Sequence, residues 1–187
     1  MPGQFRPHES AHPVATGSSN NESCGRLYAL VDAAARRLQT ADVVAAVKFR
    51  TGGAVDDPVR EHHVIDRASA AAAGKNIDPD YVAAVFRAQI DATNAIEHFR
   101  FAEWRLAPGA APVSGPDLAQ IRAVIDRLDQ ILVDEIAAQW DSLHSSACGT
   151  YLDEARNAVA LARRLDEFSR RALIYATHSY CGVADSA

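Results

Sequence analysis

Hydrophobic positions recur at helical spacing along most of this chain after residue 24. From Leu27 to the break at Gly52-Gly53, winding at 3.6 residues per turn stacks Leu30, Arg37, Ala41, Val44 and Lys48 along one stripe. Two cations therefore lie among aliphatic groups. Neither has a carboxylate three or four positions away, the spacing that pairs charges on a helix: Arg37 has Ala33, Ala34, Thr40 and Ala41, and Lys48 has Val44, Ala45, Thr51 and Gly52. Burying two unpaired cations costs on the order of several kcal/mol, so a core-facing stripe needs an anion from elsewhere. A bound anionic ligand would supply it, and snorkelling of both side chains to the surface would remove the need.

The remaining elements are marked by their start signals. Asp57-Pro58 pairs an N-cap residue with the one best tolerated at the first helical position, opening a second helix from Pro58 to about Ala73, closed by Gly74. Asp78-Pro79 repeats the signal and opens a third helix reaching Trp104 or Arg105. Phe86, Ile90, Thr93, Glu97, Phe101 and Trp104 share one stripe of it, which sets a carboxylate among aromatics. After the loop LAPGAAPVSGP, Asp117 leads a long helix with Leu118, Ile121, Ile125, Leu128, Leu132 and Ile136 inward. Arg122 lies beside that face, with Asp126 at the four-residue spacing as a simple partner.

The last segment, Thr150 to Tyr180, is helical in pattern and bracketed by Cys148 and Cys181. One straight helix would hold those cysteines about 50 Å apart, far beyond disulfide reach. A bridge requires a reversal. The midpoint Arg164-Leu165-Asp166 offers one, with Asp166 capping a new helix, so two antiparallel helices closed by Cys148 to Cys181 are expected. Three free thiols in a reducing compartment fit the cysteine spacing equally well, and Cys24 is left over.

Composition narrows the picture to one helical domain. At 187 residues and 48% hydrophobic content the chain can bury one sizeable core. Abundant alanine and short β-branched runs favour an all-α fold of about five to six helices without a β-sheet. Residues 1–24 carry Pro, Gly, Ser and Asn without periodicity and are expected to be disordered, leaving 25–187 as the domain. A formal charge of −5 argues against a nucleic-acid or anionic-membrane surface, so any anion site must be a local cluster of Lys and Arg. No apolar run approaches the roughly 18 residues that cross a bilayer. The start contains no apolar signal core, so an exported form would have lost its signal peptide.

Several chemistries lack their motifs. There is no phosphate-binding or dinucleotide glycine pattern, no Gly-x-Ser-x-Gly and no His-Glu-x-x-His. The cysteines have no Cys-x-x-Cys spacing, and the adjacent His62 and His63 point different ways on a helix, so no metal site is expected.

What remains is a set of charged residues in separated segments: LVDAAARRL with Arg37, VAAVKFR with Lys48, DDPVRE with Asp57, Arg60 and Glu61, the long IDPDYVAAVFRAQIDATNAIEHFRFAEWR with Thr93 and Glu97, and PDLAQIRAVIDRLDQ with Arg122. In this order they resemble the all-helical chorismate mutases, and with the cysteine pair they resemble the gamma subclass of exported enzymes, from about Leu27 to Cys181. The resemblance implies a helical homodimer in which each protomer builds its own site, a Cys148–Cys181 disulfide, and export to the periplasm or outside. It implies conversion of chorismate to prephenate in aromatic amino acid (phenylalanine and tyrosine) biosynthesis, without a cofactor. Carried onto matching positions, Arg37, Arg60 and Arg122 would bind the substrate carboxylates, with Thr93 in support. Lys48 and Glu97 would face the breaking ether oxygen from opposite sides, and Glu61, with the backbone near Asp57, would hold the ring hydroxyl. One turn after Arg60, where some members carry a substrate-contacting glutamine, this chain departs with Val64 beside His63.

Two other functions use the same features. A lyase that removes pyruvate from isochorismate uses a related helical scaffold with arginines and a lysine, although Glu97 and the second half of the chain favour the mutase. A helical interaction or sensor module would instead pair the cations with acidic groups of a partner.

Overall fold

The computed structural model describes residues 25–182. The disorder expected for residues 1–24, and Cys24, lie outside the described residues. Among those described every regular element is helical, in the order α1 (Tyr28–Gln39), α2 (Ala41–Thr51), α3 (Pro58–Ala73), α4 (Pro79–Leu106), α5 (Leu118–Ala138), the single turn α6 (Trp140–Leu143), α7 (Cys148–Ala162) and α8 (Glu167–Ala176), with a 3₁₀ turn at Pro108–Ala110.

The start signals work as local chemistry requires. Asp57, Asp78, Asp117 and Asp166 each accept a backbone N–H from the first turn of the helix they precede, satisfying donors that have no partner inside the helix. Asp117 adds a reciprocal bond through Gln120, a full capping box. Gly74 follows the last residue of α3.

The opening helix is the main departure. The continuous helix expected from Leu27 to the glycines is two segments that meet at Thr40. There the Thr40 hydroxyl donates to the Arg37 carbonyl at 2.7 Å, and the Thr40 N–H reaches the same carbonyl at 3.1 Å, a tightened turn. Back-bonding of this kind bends helices. Thr40 keeps helical dihedrals, so the stripe continues across the bend with Leu30, Arg37, Ala41 and Val44 all buried. A second break at Gln139 separates α6 from α5, which is why more segments appear than the five to six expected.

The reversal near the C-terminus falls at Arg164. With φ of 52° this residue takes the left-handed conformation that glycine usually supplies after a helix, and Leu165 N–H returns to the Ala160 carbonyl at 2.9 Å. α8 then runs back along α7, bringing Cys181 to Cys148 in a disulfide with Cα atoms 5.7 Å apart.

α4, about 42 Å long at 1.5 Å per residue, is the central element and packs against α2, α3 and α8, while α1 packs against α5, α7 and α8. Leu30, Phe86, Leu132, Ile136, Leu143, Leu173 and Tyr180 form the main core. A smaller cluster of Ala45, Ala46, Val55, Phe101 and Trp104 sits at the far end of α4, closed by Phe49 edge-on to Phe101 and Trp104. Between the two clusters lies Glu97.

Candidate active site

A hollow of about 630 Å³, counted out to its open mouth, lies between α1, α2, α3, α4 and the start of α5. Arg37, Lys48, Asp57, Arg60, Glu61, Thr93, Glu97 and Arg122 all line it, brought together from five helices of one chain. Between them the wall is aliphatic, formed by Val44, Val55, Val64, Ile90, Leu118 and Ile125. Such a hollow holds a small molecule with a nonpolar body and several charged ends.

The cations do not face one another unpaired. Arg37, only 5% exposed, donates through Nε to Asp129 on α5 at 2.7 Å and through Nη1 to the Thr93 hydroxyl at 3.2 Å. Thr93 in turn donates to the Gln89 carbonyl at 2.8 Å, which fixes its hydroxyl as the acceptor. Lys48 donates to Glu97 at 2.9 Å and to the Val55 carbonyl at 2.6 Å. That carbonyl reaches Lys48 because Gly52, with φ of 71°, turns the chain back over the end of α2. The anion needed by the buried stripe is thus supplied within the chain, by Asp129 and Glu97.

Around the mouth the same pattern holds. Asp57 caps α3 by accepting the Arg60 N–H at 3.1 Å, and its second oxygen accepts from Arg122 at 3.3 Å, tying the start of α3 to α5. Asp126 does not pair with Arg122, as its spacing suggested. It turns to Arg60 at 2.6 Å and shares Arg67 at 3.4 Å, because the partner offered across the helix interface is closer than the one along the helix. Glu61 accepts from Arg87 and Asn94, each at 2.9 Å. Asp129, Arg87 and Asn94 were missed by sequence reasoning, and Asp126 was read only as a partner for Arg122. Asp129 did carry a signal, a carboxylate one turn from the inward-facing Ile125.

Burial sets the two glutamates apart. Desolvation holds the Glu97 carboxyl above its ordinary value, against the opposing pull of Lys48 and a smaller one from His98. Desolvation would raise Glu61 also, but the hydrogen bonds from Asn94 and Arg87, with the Arg87 charge, bring it below its ordinary value. One cavity therefore carries a carboxyl inclined to keep its proton and another inclined to lose it. Val64 is buried in the wall, while the neighbouring His63 is exposed and absent from the lining, so an aliphatic surface stands where a polar contact was considered. No group of three or more His, Cys, Asp or Glu able to hold a metal occurs among the described residues.

The family model for chorismate mutase type II matches residues 28–98. A protein named secreted chorismate mutase from Mycolicibacterium smegmatis is 56% identical over 168 residues, which is 90% of this chain and 93% of that protein. Another of that name, from Mycobacterium tuberculosis, is 40% identical over 169 residues, covering 90% of this chain and 85% of its own. Among solved structures, the chorismate mutase from Burkholderia phymatum superposes with a TM-score of 0.78 at 29% identity, covering 83% of this chain and 95% of that one. The one from Burkholderia thailandensis gives 0.76 at 27% identity, covering 83% and 98%. With identity this high across nearly its whole length, the chain belongs to the chorismate mutase type II family.

Proposed function

We propose that the cavity converts chorismate to prephenate by a concerted rearrangement, in which the ether C–O bond breaks as a C–C bond forms and no proton changes hands. The protein is an exported isomerase: its named relatives are secreted, and its disulfide belongs to an oxidising compartment. Chorismate is a dianion that must leave an extended form for a compact chair. Arg37, Arg60 and Arg122 take the two carboxylates through charge-assisted, fork-like contacts, and Thr93 holds Arg37 in place. Holding that conformer removes much of the entropic part of the barrier.

The observation that carries this reading is the Lys48–Glu97 pair at the apolar end of the cavity. The Lys48 ammonium and the Glu97 carboxyl, which accepts from it at 2.9 Å, can both reach one oxygen atom, which is where negative charge grows as the ether breaks. Glu97 donates there only when protonated, and its burial favours that form. A bound dianion adds to the bias. Glu61, held ionised by Arg87 and Asn94, accepts from the ring hydroxyl near Asp57.

The eight proposed site residues all line one cavity within a single chain, which supports a site complete in each protomer. The resemblance to the gamma subclass supports a homodimer as the working assembly, which light scattering of the purified protein would test. The functional test follows loss of chorismate's ultraviolet absorbance on mixing with purified protein, with isochorismate and pyruvate release as the parallel arm. Turnover of chorismate without pyruvate formation is expected. A folded protein that turns over neither substrate would leave the interaction module, and pyruvate release from isochorismate alone would make it a lyase.

A further inference from the structure

The arginines that face the cavity are held from behind, and α5 does most of the holding. Arg37 comes from α1 and Arg60 from α3, and their guanidinium groups meet Asp129 and Asp126, at 2.7 and 2.6 Å. Those two carboxylates are three positions apart on α5 and therefore share one face of it. A guanidinium has five N–H donors in a rigid planar fork, so fixing one edge fixes the direction of the rest. In Arg37 the Nε hydrogen goes to Asp129 and one Nη1 hydrogen to Thr93. The Nη2 group and the second Nη1 hydrogen remain to meet a carboxylate end-on.

We propose that Asp129 and Asp126 are positioning residues, which aim the open ends of Arg37 and Arg60 at the two carboxylates of the bound dianion. The proposal rests on the reading of the cavity as a dicarboxylate site. Asp129 has the larger effect, because its pair is nearly buried whereas the Arg60–Asp126 side chains are 26% and 33% exposed and Asp126 also serves Arg67. A plain charge-neutralising role makes a different demand. It needs the negative charge near Arg37 and is indifferent to where the accepting oxygen lies, whereas aiming needs the oxygen and can lose the charge. Asp134 supplies the internal control: it pairs with Lys75 at 2.8 Å on the same helix, outside the cavity lining.

The experiment measures kcat and KM for chorismate, and calorimetric binding of prephenate, in the wild type and in Asp129→Ala, Asp129→Asn, Asp126→Ala and Asp134→Ala, each with a melting curve. Because the same contacts serve bound substrate and transition state, Asp129→Ala is expected to raise KM and weaken prephenate binding about tenfold with kcat changed less than about threefold. Asp129→Asn, which keeps an oxygen in place to accept from Nε, recovers most of that loss. Asp126→Ala shows about threefold and Asp134→Ala no change. A KM within twofold of wild type for Asp129→Ala, or an asparagine variant no better than the alanine one, overturns the proposal. If Asp129→Ala does not fold, the Asn and Asp126 variants decide it by the same ordering. A wild type that binds prephenate in this Asp129-dependent way without turning over chorismate defeats the functional reading and leaves the positioning role standing; one that does neither defeats both.

Discussion

Two ion pairs in this protein have the same length and opposite surroundings. Lys48–Glu97 and Arg171–Glu167 both measure 2.9 Å, but the first pair's side chains are 12% and 3% exposed and the second's 75% and 74%. On α8 the Arg171–Glu167 charges sit four residues apart in water, where such a pair contributes about 0.3–0.5 kcal/mol and is screened by salt. Between α2 and α4 the charges come from positions 49 apart, and each has lost its water. Distance alone says nothing of this difference. The buried pair persists because the fold forces its members together, and its carboxyl is left leaning toward the neutral form. The C-terminal hairpin is a structure held together at its ends; the helix bundle around Glu97 is a structure built to hold charges apart from solvent.

That contrast can be broken from either side. On the proposed reading Lys48→Ala removes a cation aimed at the breaking bond, and it should then lower kcat by about 10²–10³, the usual effect of deleting a single oxyanion donor. Steady-state kinetics, with circular dichroism to confirm an intact fold, checks it. Opening the hairpin is the complementary change. Cys148→Ser/Cys181→Ser releases a closure of 33 residues and should lower stability by about 3–4 kcal/mol in denaturant titrations, while kcat at a temperature where the variant is folded stays within about twofold. The smallest effect belongs to the surface pair: Arg171→Ala should shift stability by less than about 0.5 kcal/mol and leave kinetics unchanged. A kinetic effect of Arg171→Ala larger than that of Lys48→Ala would invert the comparison.

The same divide separates what was legible in the sequence from what was not. The helix starts at Asp57, Asp78, Asp117 and Asp166 were readable because a cap is a contact between residues two or three apart. The reversal at Arg164 was readable because no straight helix could join the cysteines, although a glycine-free left-handed turn carried no composition signal of its own. Thr40 gave no sign of the bend in the sequence pattern, since the stripe runs on through it while its hydroxyl and its N–H both reach back to the Arg37 carbonyl. Among the cavity residues Arg37, Lys48, Thr93 and Glu97 stood out by helical spacing, and the order of the motifs joined them to Arg60, Glu61 and Arg122 in one set. Periodicity identifies a buried face but not the helix that will oppose it. Hence Arg37 looked unpaired from its own helix, when its partner Asp129 lay 92 positions on. Asp126 shows the converse error, a partner at perfect helical spacing from Arg122 that the tertiary fold assigns to Arg60.

The account turns on Glu97 keeping its proton beside Lys48. Its ordinary value is 4.5, and burial moves it up, so the neutral form persists above 4.5 and is lost as pH rises through the displaced value. Activity that needs the neutral acid must fall on the alkaline side of that point. The other groups that feel Glu97 are Lys48, His98 and Asp56, and all three remain when Glu97 alone is changed. The most direct measurement is therefore the pH dependence of kcat/KM for the wild type and for Glu97→Gln. The account predicts a one-proton alkaline fall in the wild type that is flattened in Glu97→Gln, whose amide donates at every pH; a variant that keeps the wild-type profile would contradict it.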